Sequence, residues 1–429
     1  MKIKAFSASV WGASAATAAM FGAPAAAQVT TPDNMFTRDR NVSVIQRPRP
    51  EYDSAGVRAG AWLVRPELQL DLEWTDNVFA TPTQTQSDTA ISVKPSFSGH
   101  TLWSRHQLSF DASITRKEFF DFSDESTTTY SIGTGGRVDV QRDAFVEAGL
   151  RYASLTEART SAGAAGQAAE PIEYDTLSAF VGAEHMSGRL RLRTRFDFND
   201  IDYDSAPLFG GGIVDQNFRD RKTYRTEFRG DVAFSPDTAV FGRLRLDNRD
   251  YRLSPPDVAL DRTSKGYTLD GGFDFDIRGV ARGAVGLGYT EQDYDDPAIG
   301  KTSGLSVEAL VEWFPTPITT ITAHASRSVE DAAIAGAAGY FNTDIGVSID
   351  HELRRNVILS AGARWGEDDY SGLDRTDTRT SLSAGATYML NRSAGVRATY
   401  TYDDQASSGA AAGRDFTRNS VTFSLVLRR

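Results

Sequence analysis

Arginine recurs at alternate positions in one part of the chain, a spacing that indicates a shared chemical role. The guanidinium group forms forked hydrogen bonds to carboxylates and phosphates, so a row of arginines can bind or guide an anionic partner. Nine residues form this group: Arg189, Arg191, Arg193, Arg195, Arg225, Arg229, Arg243, Arg245 and Arg249. If they share one surface, they form a basic wall.

Acidic residues recur at similar spacing in other parts of the sequence. They are Glu67, Asp71, Glu73, Asp270, Asp274, Asp276, Glu308, Glu312, Asp344, Asp350 and Glu352. A surface with separate basic and acidic regions would order water and attract anions to one side. The alternative is structural, since the arginines could pair with the neighbouring Glu227, Asp231 and Asp247 and only stabilise the fold. The sequence leaves both readings open.

Catalytic and metal chemistry have much weaker support. His324, Ser326 and Ser328 lie at alternate positions, but no third residue is placed to orient the histidine as a catalytic triad requires. The chain has no cysteine, which excludes a thiol nucleophile, a thiolate metal site and disulfides. The acidic loop at 293–296 lacks the ligand spacing of an EF-hand. We therefore expect no enzyme activity, no bound metal and no cofactor.

The elements that carry these residues are β-strands, because polar and apolar residues alternate from Leu63 to the end of the chain. In the first such segment Leu68, Leu70 and Leu72 share one face, and acidic residues share the other. We count about eighteen segments of this kind, joined alternately by long polar loops and tight turns. The tight turns are expected near Gly99, Arg142, Ser187, Pro236, Gly279, Pro315 to Pro317, Arg354 and Asn391.

This pattern predicts an all-β fold: a transmembrane antiparallel up-and-down β-barrel of about 18 strands, each about ten residues long, with short periplasmic turns and long extracellular loops. In a bilayer every backbone amide must be paired internally, so a sheet spans it only when closed, with apolar side chains outside. The charged faces would then line a lumen, and about 16 to 18 strands leave room for water. No stretch approaches the roughly 20 apolar residues that a spanning helix needs.

Tyrosine and tryptophan cluster near the ends of these segments, which is typical of the aromatic girdles at membrane interfaces. The residues concerned are Trp62, Trp74, Tyr152, Tyr203, Tyr251, Tyr289, Trp313, Trp365, Tyr388 and Tyr402. General aromatic strand propensity is the alternative, but it would distribute them evenly. We therefore expect them to face lipid.

The chain divides into three parts. Residues 1–27 have the basic start, small-residue apolar stretch and Ala-x-Ala end of a secretory signal. Residues 28–60 lack periodicity and predict an extended periplasmic segment, and residues 61–429 form the barrel. The net charge of −11 argues against a nucleic-acid partner, because phosphate binding calls for a basic face.

Residues 47–53 (Arg-Pro-Arg-Pro-Glu-Tyr-Asp), 56–58 (Gly-Val-Arg), 62–73 and 75–80 (Thr-Asp-Asn-Val-Phe-Ala) resemble the opening of a proteobacterial family of outer-membrane β-barrel porins. The resemblance implies a Gram-negative outer-membrane protein that contacts lipid and the barrel insertion machinery. It also implies periplasmic polysaccharide export components as partners, because some members are associated with exopolysaccharide export. The chain departs from the usual terminal aromatic residue by ending in Arg428 and Arg429.

Three functions follow from the sequence. The first expectation is a channel that secretes a hydrophilic polymer, an exopolysaccharide, with the basic wall as its track. The second is a general diffusion porin for small anionic or neutral solutes. The third is a surface barrel whose long loops bind a partner while the lumen stays closed.

Overall fold

A computed structural model describes residues 34–36, 41–161, 168–334, 336–337 and 339–429. Within them, eighteen antiparallel strands form the barrel, which confirms the predicted fold class. The strands are β1 Trp62–Thr75, β2 Asp88–Thr101, β3 Gln107–Phe119, β4 Thr127–Gln141, β5 Ala144–Thr156, β6 Glu173–Ser187, β7 Leu190–Tyr203, β8 Arg221–Ala233, β9 Thr238–Tyr251, β10 Ser264–Ile277, β11 Ala281–Tyr294, β12 Lys301–Thr316, β13 Thr319–Asp331, β14 Gly339–Arg354, β15 Val357–Tyr370, β16 Thr376–Met389, β17 Ala394–Ser408 and β18 Phe416–Arg428. The expected signal at 1–27 lies outside the described residues.

Each strand pairs with its neighbour in chain order, and the sheet closes where β18 pairs with β1. Closure leaves no free sheet edge along the wall, which is the condition for a sheet to span a bilayer. The short strand Val57–Ala59 precedes β1 and forms a hairpin with it, pairing with the first residues of β1, Trp62 to Val64. The described residues contain no helix with the length and apolar character needed to span a bilayer.

The connections alternate between long loops at one end and short turns at the other, as expected. Two details differ from the sequence-based prediction. The strands contain 13 to 16 residues instead of about ten, because tilted strands continue past the hydrocarbon and stay paired there. The first short connection lies at 102–106, and Gly99 is inside β2, opposite Phe110. A Cβ at Gly99 would lie 2.4 Å from that ring, so this glycine serves close packing and makes no turn.

The two faces of the sheet differ sharply in chemistry. Leu269, Phe273 and Leu287 are 59%, 58% and 56% exposed on the outer face, where lipid covers them. On the inner face Asp231 and Glu312 are fully buried. Lipid therefore contacts an apolar surface, and the lumen is lined by polar and charged side chains.

The predicted girdle needs one correction. Trp74, Trp313 and Tyr388 face outward and are 43% to 49% exposed, as an interfacial girdle requires. Tyr203 and Tyr251, in contrast, point into the barrel and are 3% and 6% exposed. Each is the last residue of its strand and occupies an inward-facing position. The ring of Tyr203 lies against Arg219 and that of Tyr251 against Arg221, at the long-loop end of the barrel.

Candidate functional site: the charged lumen

The predicted basic wall comes from three neighbouring strands, β7, β8 and β9. The register places Arg193 opposite Arg229, and Arg229 opposite Arg243. Eight of the nine arginines occupy inward positions on these strands. Arg189 does not, because it lies in the exposed turn between β6 and β7.

Towards the short-turn end, the arginines of the wall are buried and paired with acids. Arg191 Nε lies 3.0 Å from Asp231 Oδ2, and Arg229 contacts the same carboxylate at 2.9 Å. Arg229 also reaches Asp274 on β10, at 2.8 Å. One buried group of two arginines and two aspartates therefore spans β7 to β10.

The next arginines along the lumen are paired in the same way. Arg243 lies 2.9 Å from Asp270 and 2.7 Å from Glu308, two of the acids predicted to line the lumen. Arg245 contacts the same two carboxylates, at 3.2 and 3.1 Å. Acidic and basic residues therefore alternate here, and they do not form separate walls.

Ion pairs continue towards the long-loop end. Arg225 and Arg249 both contact Asp247, at 3.1 and 2.7 Å. Arg249 also reaches Asp331 on β13, and Arg195 contacts Asp197, 2.8 Å away on its own strand. The structural alternative named three acids as possible partners of the arginines. Two of them, Asp231 and Asp247, do pair with the wall.

The remaining predicted acids are distributed around the barrel. Glu73 contacts Lys117 and Arg418, each at 3.0 Å. Glu312 pairs with Arg282, and Asp344 with Arg364 at 2.5 Å. Asp71 accepts a hydrogen bond from Gln69 at 2.9 Å. Glu67 lies at an inward position of β1, opposite Arg428.

Further along the lumen, from its middle towards the long-loop end, some charged side chains remain partly exposed. The exposed side-chain fractions of Glu308, Arg225 and Arg245 are 51%, 36% and 23%. By comparison, the side chains of Arg191 and Arg229 are 4% and 2% exposed. A solute in the lumen would meet the first group, whereas the second is enclosed by protein.

His324 has an acidic partner that the sequence alone does not reveal. Its Nε2 lies 2.8 Å from Asp344 Oδ1, on the neighbouring strand β14. Ser328 donates its hydroxyl to Glu330, so the nearby serine is not directed at the histidine. Only the strand register reveals the His–Asp pair, because the sequence separates the two residues by a loop. In the described part of the chain, no cluster of three or more potential ligands could hold a metal ion.

The long loops fold over one end of the lumen and are joined by buried ion pairs. Arg159 contacts Glu125 at 2.5 Å, and Arg219 contacts Glu157 at 2.8 Å. Burial raises the pKa of the Asp220 carboxyl to about 6, and the nearby Asp202 adds to the shift. Burial, together with the charge of Arg159, lowers the pKa of Arg414 to about 10. These loops narrow the extracellular end.

The opposite end holds part of the predicted periplasmic segment. Residues 41–53 lie against the inner face near the short turns, where Arg49 contacts Glu352 at 2.9 Å. The sequence predicts only an extended segment here, because residues 28–60 have no periodicity that could reveal where they dock. Polar contacts therefore occupy both ends of the lumen, while charged side chains between them stay partly exposed.

Comparisons with known proteins agree with a porin-like barrel. The family model described as Putative beta-barrel porin 2 matches residues 49–429. No curated protein is significantly similar in sequence.

Several solved outer-membrane structures are similar in fold. OpdK from Pseudomonas aeruginosa is 12% identical over 85% of this chain and 99% of its own, with a TM-score of 0.44. The copper transporter OprC is 12% identical over 87% and 81%, with a TM-score of 0.49. A bacterial polysaccharide outer membrane secretin is 12% identical over 85% and 98%, with a TM-score of 0.37. At such low identity these likenesses say nothing about a substrate.

Proposed function

This chain belongs to the Putative beta-barrel porin 2 family, and from that premise we propose that it is the conduit through which a hydrophilic polymer, an exopolysaccharide, crosses the outer membrane. Family membership makes the chain an outer-membrane β-barrel porin of Gram-negative bacteria, with a role in transport. The nature of the transported solute is the proposal.

The observation that supports a polymer is a lattice of paired, partly exposed charges in the middle of the lumen, represented by Arg245 and Glu308. Arg245 and Glu308 are 3.1 Å apart and partly exposed, so each presents hydrogen-bonding groups to water while its charge is balanced by a neighbour. Sugar hydroxyls can exchange such hydrogen bonds one after another along the lumen. A balanced lattice also holds a passing chain less tightly than an unpaired row of charges would, and conduction requires binding weak enough to release.

The partners expected from the sequence belong to this proposal as well. Lipid contacts the outer face, and periplasmic polysaccharide export components would deliver the polymer to the short-turn end. The barrel insertion machinery would engage β18, where Phe423 is 58% exposed on the outer face. The proposal includes no nucleic-acid partner and no cofactor.

The decisive experiment is deletion of the gene, with surface polysaccharide measured by a lectin or dye. Deletion should abolish surface polymer and leave polymer in the periplasm, and the wild-type chain should restore export. A variant with Arg225→Glu and Arg245→Glu should restore less, because it replaces two partly exposed lumen arginines with acids. Arg142→Glu with Arg189→Glu, in exposed turns, is the matched control and should restore export fully.

The two other candidate functions give different results. A diffusion porin would leave surface polymer intact after deletion and show steady conductance in planar bilayers. A loop-binding barrel would leave polymer intact and show no conductance. Either result would contradict the polymer proposal.

A further inference from the structure

The short-turn end of the lumen is narrowed by the chain's own N-terminal segment, residues 41–53, which we call the strap. The strap lies on inward-facing residues of the barrel. Arg428 donates to the backbone oxygen of Tyr52 at 3.0 Å, and Arg392 donates to that of Pro50 at 2.7 Å. These contacts hold the C-terminal end of the strap beside β18 and the turn before β17.

Two strap arginines share one acidic partner on β14. Arg47 and Arg49 lie 3.2 and 2.9 Å from the same oxygen, Oε2 of Glu352. The side chains of Arg49 and Glu352 are 3% and 8% exposed, so the pair is withdrawn from water. Removing one partner of such a buried pair leaves an uncompensated charge, which makes this contact the electrostatic anchor of the strap.

An apolar anchor lies beside the electrostatic one. Val44 is fully buried and packs against Ile358 and Met389, which face inward from β15 and β16. Its backbone amide donates to Thr320 Oγ1 on β13, at 2.9 Å. Burial of an apolar side chain between polar lumen walls holds the strap at a defined position.

Beyond Val44 the strap continues to β10 and β11. Asn41 donates to Asp276 Oδ1 at 2.6 Å, and Arg282 donates to the backbone oxygen of Asn41 at 2.8 Å. Further towards the N-terminus, the amide of Met35 donates to Asp274 at 2.8 Å. The contacts thus follow the inner rim from β18 to β10, which is half of the barrel's strands.

We propose that the strap is a displaceable gate that restricts the periplasmic mouth until the buried contacts of Arg47 and Arg49 with Glu352 are released. Pairing with the barrel sheet begins only at Val57, so the strap is held mainly by side chains and can leave without unfolding the wall. The inference rests on the lumen being a conduit and does not depend on which solute passes.

The test is single-channel conductance of the purified mature chain in planar bilayers. The double variant Arg47→Glu, Arg49→Glu opposes Glu352 with two like charges and should raise open-channel occupancy about tenfold, which corresponds to about 1.4 kcal/mol. The matched control, Arg278→Glu with Arg354→Glu, makes the same charge change in exposed positions at the same mouth and should behave as wild type. Heat-dependent migration in SDS gels verifies that each variant is folded.

Two further variants make the result specific to the strap. Adding Glu352→Arg to the double variant restores opposite charges and should return the occupancy towards wild type. When Val44→Cys and Ile358→Cys are added to the double variant Arg47→Glu, Arg49→Glu, a disulfide should keep conductance low when oxidised and release it when reduced, and the chain has no other cysteine to interfere.

The gate proposal is overturned if the folded double variant conducts as wild type does, or if the oxidised and reduced cysteine variants conduct equally. This readout uses only salt ions. A chain that gates normally but exports no polysaccharide would therefore contradict the proposed function and leave the gate standing.

Discussion

Exposure decides which lumen arginines act on a passing anion. Arg191 and Arg229 are enclosed between Asp231 and Asp274, so their charges are already neutralised by fixed neighbours. Arg225 is more than a third exposed, and it keeps guanidinium surface available to the lumen. The residues that set ion preference are therefore fewer than the row of arginines in the sequence suggests.

Ion selectivity should follow the exposed arginines. We expect Arg225→Glu with Arg245→Glu to shift the reversal potential in a salt gradient towards cation preference, because two open positive charges become negative. The measurement is made on the purified chain in planar bilayers. Arg142→Glu with Arg189→Glu, in exposed turns, should leave the reversal potential near that of wild type. Equal shifts from both pairs would show that the lumen arginines have no special role.

For a single residue, the sequence predicts which face of the sheet it lies on but not which side chain it contacts. Alternation alone placed Arg243 and Asp270 on the inner face. Their contact depends on the register of β9 and β10, which sets them directly opposite each other. The contact of Arg243 with Glu308 also needs the curvature of the wall, because it crosses from β9 to β12.

One long loop holds a carboxyl group whose pKa is raised, that of Asp220. The amide of Tyr203 donates to Asp220 at 2.7 Å, and Arg252 lies 3.7 Å from the same carboxyl group. Burial and the neighbouring Asp202 still raise the pKa of Asp220 to about 6. The packed loop therefore favours the protonated carboxyl.

Loop 204–220 should accordingly be better protected at low pH. An acid whose pKa is raised by packing disfavours the packed state once pH rises through that value, so stability should fall as pH increases from about 5 to about 7. Limited proteolysis at these two pH values measures it. Asp220→Asn should remove the pH dependence, whereas Asp257→Asn in the next long loop should retain it. Persistence of the dependence in Asp220→Asn would assign it to another group.

Strand ends were the least predictable elements. Polar residues dominate 403–408, a composition that predicts a loop, yet these residues belong to β17. Above the hydrocarbon both faces of a strand meet water or loops, so the alternation fades while backbone pairing continues. The same fading concealed that Tyr203 and Tyr251 face inward.

The whole barrel depends on the contrast between its two faces. Val347 lies at the middle of β14 and is 44% exposed on the outer face, and its neighbour Ser348 faces the lumen. Val347→Arg should lower the free energy of unfolding by about 2 to 4 kcal/mol, the cost of a cation near the middle of a bilayer. Ser348→Arg should cost much less. Urea unfolding in lipid vesicles measures both, and equal losses would contradict the assignment of the faces.

The molecule as a whole was predictable because lipid imposes one repeated rule on every strand. The strap was not, since residues 41–53 obey no period and dock through single contacts such as Val44 against Ile358. Contacts of this kind are specified only by the assembled rim. The sequence could therefore yield the wall of the channel but not what lies in its mouth.

The seam of the barrel has a consequence for assembly. The last strand pairs with the first only from Glu67 to Thr75, and the hairpin strand Val57–Ala59 occupies the edge that this shorter pairing leaves beside Leu63 and Val64. An uncovered edge there would present free backbone donors and acceptors to any extended peptide. The hairpin thus covers this edge and prevents another extended chain from pairing with it after the barrel closes.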